Sequence, residues 1–338
     1  MNRRIVLLIV LLVLGGVAWW LATQGPTTTL AKPLSDFAIA DTSRVTRIYI
    51  TDKKGRSVDV RRSADHWILD GKYEARQELV NTALRTFLRA EVKSPVPKSA
   101  EEMVLRTMSA TSWKVEIYEG GDEPVKSWII GHATQDHFGT YMVLEKAGEG
   151  RSNVPFIMGV SGFTGVLNTR FPTDPDIWRS TAIFRYRDLH DLASVEVEHP
   201  GSPNMSYRIQ NNTDGTVALT DLGGQPLPTD AVLAKGALLS FRMFDFEYFD
   251  RKMSKATRDS LLAARPNFIV RATPRGATKP QTVKLWYMPY AGDEPAFGES
   301  KPLHDGLRMH AFIEDSIMVV VQRQFTDLMT QPASALMP

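Results

Sequence analysis

The N-terminus constrains this chain more than any other stretch of it. Met1-Asn2-Arg3-Arg4 leads into residues 5–22, eighteen positions without a single charge. As a helix this stretch is about 27 Å long, close to the ~30 Å hydrocarbon thickness of a bilayer. The expectation is one membrane crossing. Arg3 and Arg4 favour a cytoplasmic N-terminus, which puts everything beyond residue 22 on the far side. Trp19 and Trp20 fall where an aromatic belt meets the outer interface. The competing reading is a cleaved signal peptide, which has a shorter apolar region ending at a small-x-small site. Trp20-Leu21-Ala22 is a poor site of that kind, because its first residue is bulky. The expected order is a cytoplasmic tail (1–4), a transmembrane helix (5–22) and an extended tether (23–35) whose prolines and threonines resist helix.

The rest of the 338 residues is long enough for two domains. Hydrophobic residues make up 43% and charged residues 23%, which excludes a disordered chain. Lys and Arg exceed Asp and Glu by 40 to 38, a net charge of +2, so nucleic acid is not an expected partner. The chain has no cysteine, which removes disulfides, thiolate chemistry and a lipid-modified cysteine.

Periodicity supplies the elements. Residues 45–50 and 57–60 alternate around Asp52-Lys-Lys-Gly55 as a hairpin, and 66–69 add a strand. Val80, Ala83, Leu84, Phe87 and Leu88 form the stripe of an amphipathic helix. A second helix is expected from Ser99, which looks like its N-cap, then strands at 114–118, 126–130 and 140–144 and a further apolar run at 155–158. The second half runs in the same order: strands at 194–198, 206–210 and 217–220, a helix from about Asp230, a short helix at 255–264, strands at 268–272, 283–287, 307–313 and 316–321, and a helix near 323–329. Val45 matches Val195 and Gly71 matches Gly224, 150 and 153 residues on. Leu79, Ala83, Leu84 and Phe87 match Leu233, Ala237, Leu238 and Phe241, and Val115 matches Ile269, all at 154. The expected fold class is α+β: two duplicated mixed β-sheet domains with helices packed on one face, after one N-terminal transmembrane helix. The expected domains are 36–169 and 190–330, with a joint at 170–189 and a C-terminal tail at 331–338.

The chemistry-bearing groups are weak individually. His132, Asp136 and His137 are zinc-compatible, but their spacing fits no ligand motif and suits a polar hairpin loop. His304 and His310 flank an inserted loop and a strand. Ser161 has Phe163 where a nucleophile elbow needs glycine, and Gly159, Gly162 and Gly165 lack the Lys-Ser/Thr of a phosphate loop. Asp174 and Asp176 suit a helix-opening turn, and Asp245, Glu247 and Asp250 suit a strand with one wet face. No catalytic, metal or cofactor site is assigned. The densest basic-aromatic stretch is Arg170, Trp178, Arg179, Phe184, Arg185, Tyr186 and Arg187, residue types favoured at protein interfaces. It is a candidate partner-binding surface or, alternatively, an interdomain joint.

ITDKKG, DGKYEAR, the stretch 92–97, KVEIYEG, FGTYM and residues 162–171 resemble the domain-of-unknown-function 4340 family over about residues 36–318. The resemblance implies a single-anchor protein of the bacterial inner membrane with its bulk in the periplasm. Some such proteins are associated with components similar to gliding-motility-type ABC transporters. It implies no catalytic residue. The function expected is a non-enzymatic scaffold or accessory subunit of a membrane protein complex. The alternatives are a periplasmic ligand-binding module of an ABC-type transporter system and an enzyme processing envelope glycan or peptide, with acid/base groups drawn from Asp174, Asp176, Asp245 and Glu247.

Overall fold

A computed structural model describes Val13, Gly15, Gly16, residues 34–290, Gly292 and residues 302–338. The expected membrane helix and tether fall outside the described residues, except for Val13, Gly15, Gly16, Leu34 and Ser35. Among the described residues no helix is long and apolar enough to cross a membrane. Among the described residues from Leu34 onward the fold is α+β, with six α-helices and two large antiparallel sheets, and the chain divides into two compact units, Met1–Trp178 and Arg179–Pro338.

The first unit runs β1 (Arg47–Asp52), β2 (Ser57–Ser63), β3 (His66–Leu69), β4 (Tyr73–Glu74), α1 (Gln77–Arg89), β5 (Ala90–Pro95) and α2 (Lys98–Thr111). It continues with β6 (Trp113–Tyr118), β7 (Lys126–Ala133), β8 (Thr140–Lys146), β9 (Gly150–Arg151), β10 (Phe156–Val160) and α3 (Pro175–Trp178). The sheet order is β4-β3-β2-β1-β6-β7-β8-β10-β5, with β9 beside β8. A period of two puts Ile48 and Ile50 on one face of β1, where they align with Val60 and Val58 of β2 and with Ile117 and Val115 of β6. Val80, Ala83 and Phe87 of α1 are buried against that face. Trp128 anchors this core, its ring centroid 5.0 Å from Phe87, 6.0 Å from Phe171 and 6.1 Å from Phe37.

Helices cover both faces of this sheet, not one. Ile129 and Val143 alternate with the core residues of β7 and β8, so these strands are apolar on both sides and neither face can be left to water. Val104 and Met108 of α2 cover the second face. The sheet is not mixed either: every ladder among the described residues is antiparallel.

The second unit runs β11 (Ala182–Arg185), β12 (Leu192–Glu198), β13 (Tyr207–Asn211), β14 (Val217–Thr220), α4 (Ala231–Leu239), β15 (Met243–Asp245), β16 (Tyr248–Phe249) and α5 (Lys255–Ala263). It ends with β17 (Phe268–Pro274), β18 (Gln281–Pro289), β19 (His304–Ile313), β20 (Ile317–Gln322) and α6 (Arg323–Met329). Its sheet order, β14-β13-β12-β17-β18-β19-β20-β16, matches eight strands of the first sheet, from β3 to β5, and has no strand corresponding to β4 or β9. β12 to β14 take the places of β1 to β3, β17 to β19 those of β6 to β8, β20 that of β10 and β16 that of β5. An isolated Thr220–Pro226 bridge stands where β4 pairs with β3. β11 pairs separately with β15.

The registers also correspond, with a slip relative to the sequence match. Val195 lies between Ile209 and Ala272 as Ile48 lies between Val60 and Ile117, and Val197 lies between Tyr207 and Val270 as Ile50 lies between Val58 and Val115. Val45, matched to Val195 in sequence, precedes β1, whereas Val195 lies within β12; Ile269, matched to Val115, is outside the buried row to which Val270 belongs. Valine and isoleucine recur every second residue in such strands, which makes the apolar pattern blind to a short slip. Phe87 and Phe241 are both core, as matched. Leu79 is half-buried and Leu233 exposed.

The expected joint and tail are absorbed into the two units. Phe171 and Trp178 belong to the first core, Ile183, Phe184 and Tyr186 to the second, and the division falls between Trp178 and Arg179. In the C-terminal segment Ala333 and Leu336 are buried in the second core, and the Leu336 carbonyl accepts a hydrogen bond from Asp230 N.

Candidate functional site

The aromatic residues of the 170–187 stretch are core residues. Trp178 has no exposed surface, and its Nε1 donates to the Pro172 carbonyl at 2.8 Å. Phe184 is equally buried, 5.4 Å from Phe241 and 6.0 Å from Phe244. The Tyr186 hydroxyl donates to Gln281 Oε1 at 2.8 Å, and burial pushes its pKa up to about 12. The arginines are mostly engaged within their own unit. Arg170 donates to Thr86 Oγ1 at 3.0 Å and stacks on Phe163 at 4.2 Å; burial and the nearby Arg85 lower its pKa. Arg179 lies over the Phe249 ring, Arg185 pairs with Asp245 at 3.1 Å, and Arg187 is exposed. An exposed basic-aromatic surface is therefore not what these residues form. In sequence, an aromatic flanked by arginines looks the same whether its ring is core or contact surface.

The remaining candidates settle into local structural roles. Asp136 accepts from Thr134 Oγ1 and from Phe138 N at 2.9 Å, which shapes the loop holding His137, while His132 packs on Tyr141. Those bonds lower the Asp136 pKa. Asp174 accepts from Asp176 N at 3.0 Å at the start of α3. Glu247 binds Arg308 through both oxygens, at 2.9 and 2.7 Å. Asp250 lies 3.1 Å from His310 Nδ1, and burial outweighs the raising effect of that carboxylate, so the His310 pKa is lowered. His304 stacks on Tyr287 at 4.9 Å. Ser161 N donates to the Arg89 carbonyl. Among the described residues no group of three His, Asp or Glu side chains is placed to hold a metal ion.

The site that sequence analysis missed lies on α4. Asp230 caps this helix, accepting from Val232 N at 2.8 Å and Leu233 N at 3.1 Å. Ala234 and Leu238 face the core together with Phe241. The opposite side is also apolar. Val232 is 79% exposed, Leu239 57% and Leu233 45%, with Lys235 as the helix's single charge, and Met243 follows at 68%. Beside α4 runs a groove of about 580 Å³. Val232, Gly236 and Leu239 form one wall, and Asp188, His190 and Asn212 supply polar groups on the other side. That second side is held firmly: Asn211 Nδ2 donates to the Leu189 and Leu192 carbonyls at 2.8 Å, and Arg275 donates to the His190 and Asn211 carbonyls. Gly236 has no heavy atom within 4 Å of where a Cβ would stand, so a partner can approach the helix backbone closely there. An apolar centre with a polar rim on a rigid frame is the anatomy of a protein-docking surface. The legible signal was a stretch, AVLAKGALL, with apolar residues all round the helix instead of along one stripe.

Comparison with protein-family models, with curated proteins and with solved structures finds no match to this chain.

Proposed function

We propose that this protein is a non-enzymatic scaffold or accessory subunit of a membrane protein complex, anchored in the bacterial inner membrane by residues 5–22 with its N-terminus cytoplasmic and its two units in the periplasm. The observation that carries the docking role is the apolar outer face of α4 with its adjoining groove. An exposed patch of this kind is costly to leave wet and marks a contact surface. The partner is a protein that inserts an apolar side chain between α4 and the 188–190 segment, with polar groups meeting Lys235, Asp188 and His190. The matching strand orders and registers of the two sheets support a further part of the proposal: the chain arose by duplication of one unit. After duplication α4 came to be apolar outside as well as inside, whereas α1 keeps Gln77, Glu78, Asn81 and Arg85 on its outer side. The charge-free N-terminal stretch, preceded by Arg3 and Arg4, supports the envelope setting.

The test places a photo-crosslinking amino acid at Val232 of the full-length protein in cells, with position 103 on α2 as an exposed control. The expected result is one discrete crosslinked species at position 232, absent at 103 and lost when Leu239→Glu is added. No species at position 232, or the same species at 103, overturns the docking role.

A further inference from the structure

Four segments of the first unit meet at one end of its sheet: the 134–139 turn, residues 160–165, the last turn of α1 and the start of β5. Thr140, which opens β8, pairs with Met158 of β10, and Val160 pairs with Ala90 of β5. The Arg89 carbonyl accepts from Ser161 N at 2.9 Å, and the Phe138 carbonyl accepts from Lys93 Nζ. The stem of Lys93 lies over Gly159, where a Cβ would collide with its Cε. Arg170 joins this end, its guanidinium 4.2 Å from the Phe163 ring centre and 3.0 Å from Thr86 Oγ1 of α1.

Two features set this end apart. Phe138 is 55% exposed and Phe163 44%, both on connecting segments. Around them stand Arg85, Arg89, Lys93 and Arg170, and none of the four is in ion-pair contact with a carboxylate among the described residues. Arg85 reaches Thr82 Oγ1 instead, at 3.5 Å, and lies close enough to Arg170 to disfavour its charge. The acids of this end are Glu91 and Asp136, and Asp136 is committed to Thr134 and to Phe138 N. Elsewhere in the unit cations are matched: Arg47 with Asp59, Lys114 with Glu116 and Lys146 with Glu149.

We infer that this end of the first unit docks on the surface of an anionic bilayer. Phe138 and Phe163 enter the interface, and Arg85, Arg89, Lys93 and Arg170 meet lipid phosphates. Interfacial binding combines burial of apolar side chains with attraction of nearby cations to acidic lipid, and both are present here. A purely apolar partner would leave the four cations unanswered, and a small anion would leave the two rings in water. The inference rests on the anchored reading only because that reading puts a bilayer within reach. Asp36, at the end of the tether, is held 3.0 Å from Lys126 Nζ at the start of β7, and the 134–139 turn follows the other end of that strand. The strand is about 26 Å long. A chain of the length of residues 23–35 reaches about 43 Å when extended. That is enough for the far end of the sheet to meet the bilayer that holds residues 5–22.

The experiment reads amide exchange, peptide by peptide, in the full-length protein in nanodiscs of phosphatidylcholine alone or of an equal mixture with phosphatidylglycerol. Exchange in residues 134–139 and 160–166 is expected to be at least about fivefold slower on the anionic discs. The 146–150 turn, at the opposite end of β8, should not change. Raised salt should abolish the difference. The double variants Arg85→Gln/Arg89→Gln and Phe138→Ser/Phe163→Ser should each reduce it below about twofold, with unchanged thermal unfolding. Equal exchange on the two kinds of disc overturns the inference, and so does a difference that survives Arg85→Gln/Arg89→Gln. Polyglutamate that slows the same peptides on phosphatidylcholine discs also overturns it, and assigns an acidic protein instead. Failure of the chain to insert would sink the anchored reading alone. Added vesicles of the anionic mixture must then still slow both peptides, or the inference falls as well.

Discussion

At Asp52 one side chain ties the β1–β2 turn to the segment leading to α3, while its backbone pairs with Trp113 of β6. Burial alone raises a carboxylate pKa, but hydrogen bonds from Arg56, Lys54 and Thr173 outweigh it and hold Asp52 at about 2. A depressed carboxylate contributes stability above its unfolded value of about 3.9, and loses that contribution as pH falls through the folded value. Asp52→Asn is therefore expected to lower the melting temperature at pH 7, because the amide offers two of the same donors an unsuitable partner. The loss of stability on acidification between about pH 4 and pH 2 should also become shallower than in the wild type. Thermal unfolding of both proteins across that range checks it; parallel curves would assign Asp52 no such role. The Asx turn itself was legible, because Asp-Lys-Lys-Gly between alternating runs is a turn signature. The bond to Thr173, 121 residues on, was not.

At the level of elements, α1 and α4 hold the same place in two sheets of the same order and present different outer surfaces. The inner stripe determines docking onto the sheet and the outer residues determine what the helix meets afterwards, so the two can vary separately. Val232→Glu combined with Leu239→Glu is expected to leave thermal stability within about 0.5 kcal/mol per site, as for ordinary surface positions. Leu238→Ala, at a neighbouring but buried position, should cost about 2–5 kcal/mol. Calorimetry of the three proteins separates the faces, and a large loss in the double variant would mean that the outer face is packed after all. Most elements were readable from periodicity, including the 66–69 strand and both long helices of the first unit, although the second of these starts at Lys98 without a side-chain cap and not at Ser99. The sided arrangement of helices was not. β7 and β8 are apolar on alternate and intervening positions alike, and a run of that kind says that both faces are buried without saying by what.

For the whole molecule, the two units have separate hydrophobic cores, built on corresponding rows of β-branched and aromatic side chains. Ile48→Ala is expected to accelerate amide exchange in the ladders of β1, β2 and β6, and Val195→Ala in those of β12, β13 and β17, each leaving the other unit's slow amides protected. Hydrogen exchange of the full-length protein with peptide-level resolution checks this; a global response to either substitution would mean one cooperative body. The sequence alone determined most of the longer elements, their similar order in two halves and the local hairpins, because strand and helix periods and turn chemistry act over a few residues. The short strands β4, β9 and β11 were not among them. Tertiary structure alone decided the pairings β1–β6 and β12–β17, the closing of each sheet by β5 and β16, and the division at Trp178. It also decided that Trp178, Phe184 and Tyr186 fill cores while Val232 and Leu239 remain exposed. Those outcomes depend on contacts between segments far apart in the chain, where an apolar residue carries no label for the surface it will meet.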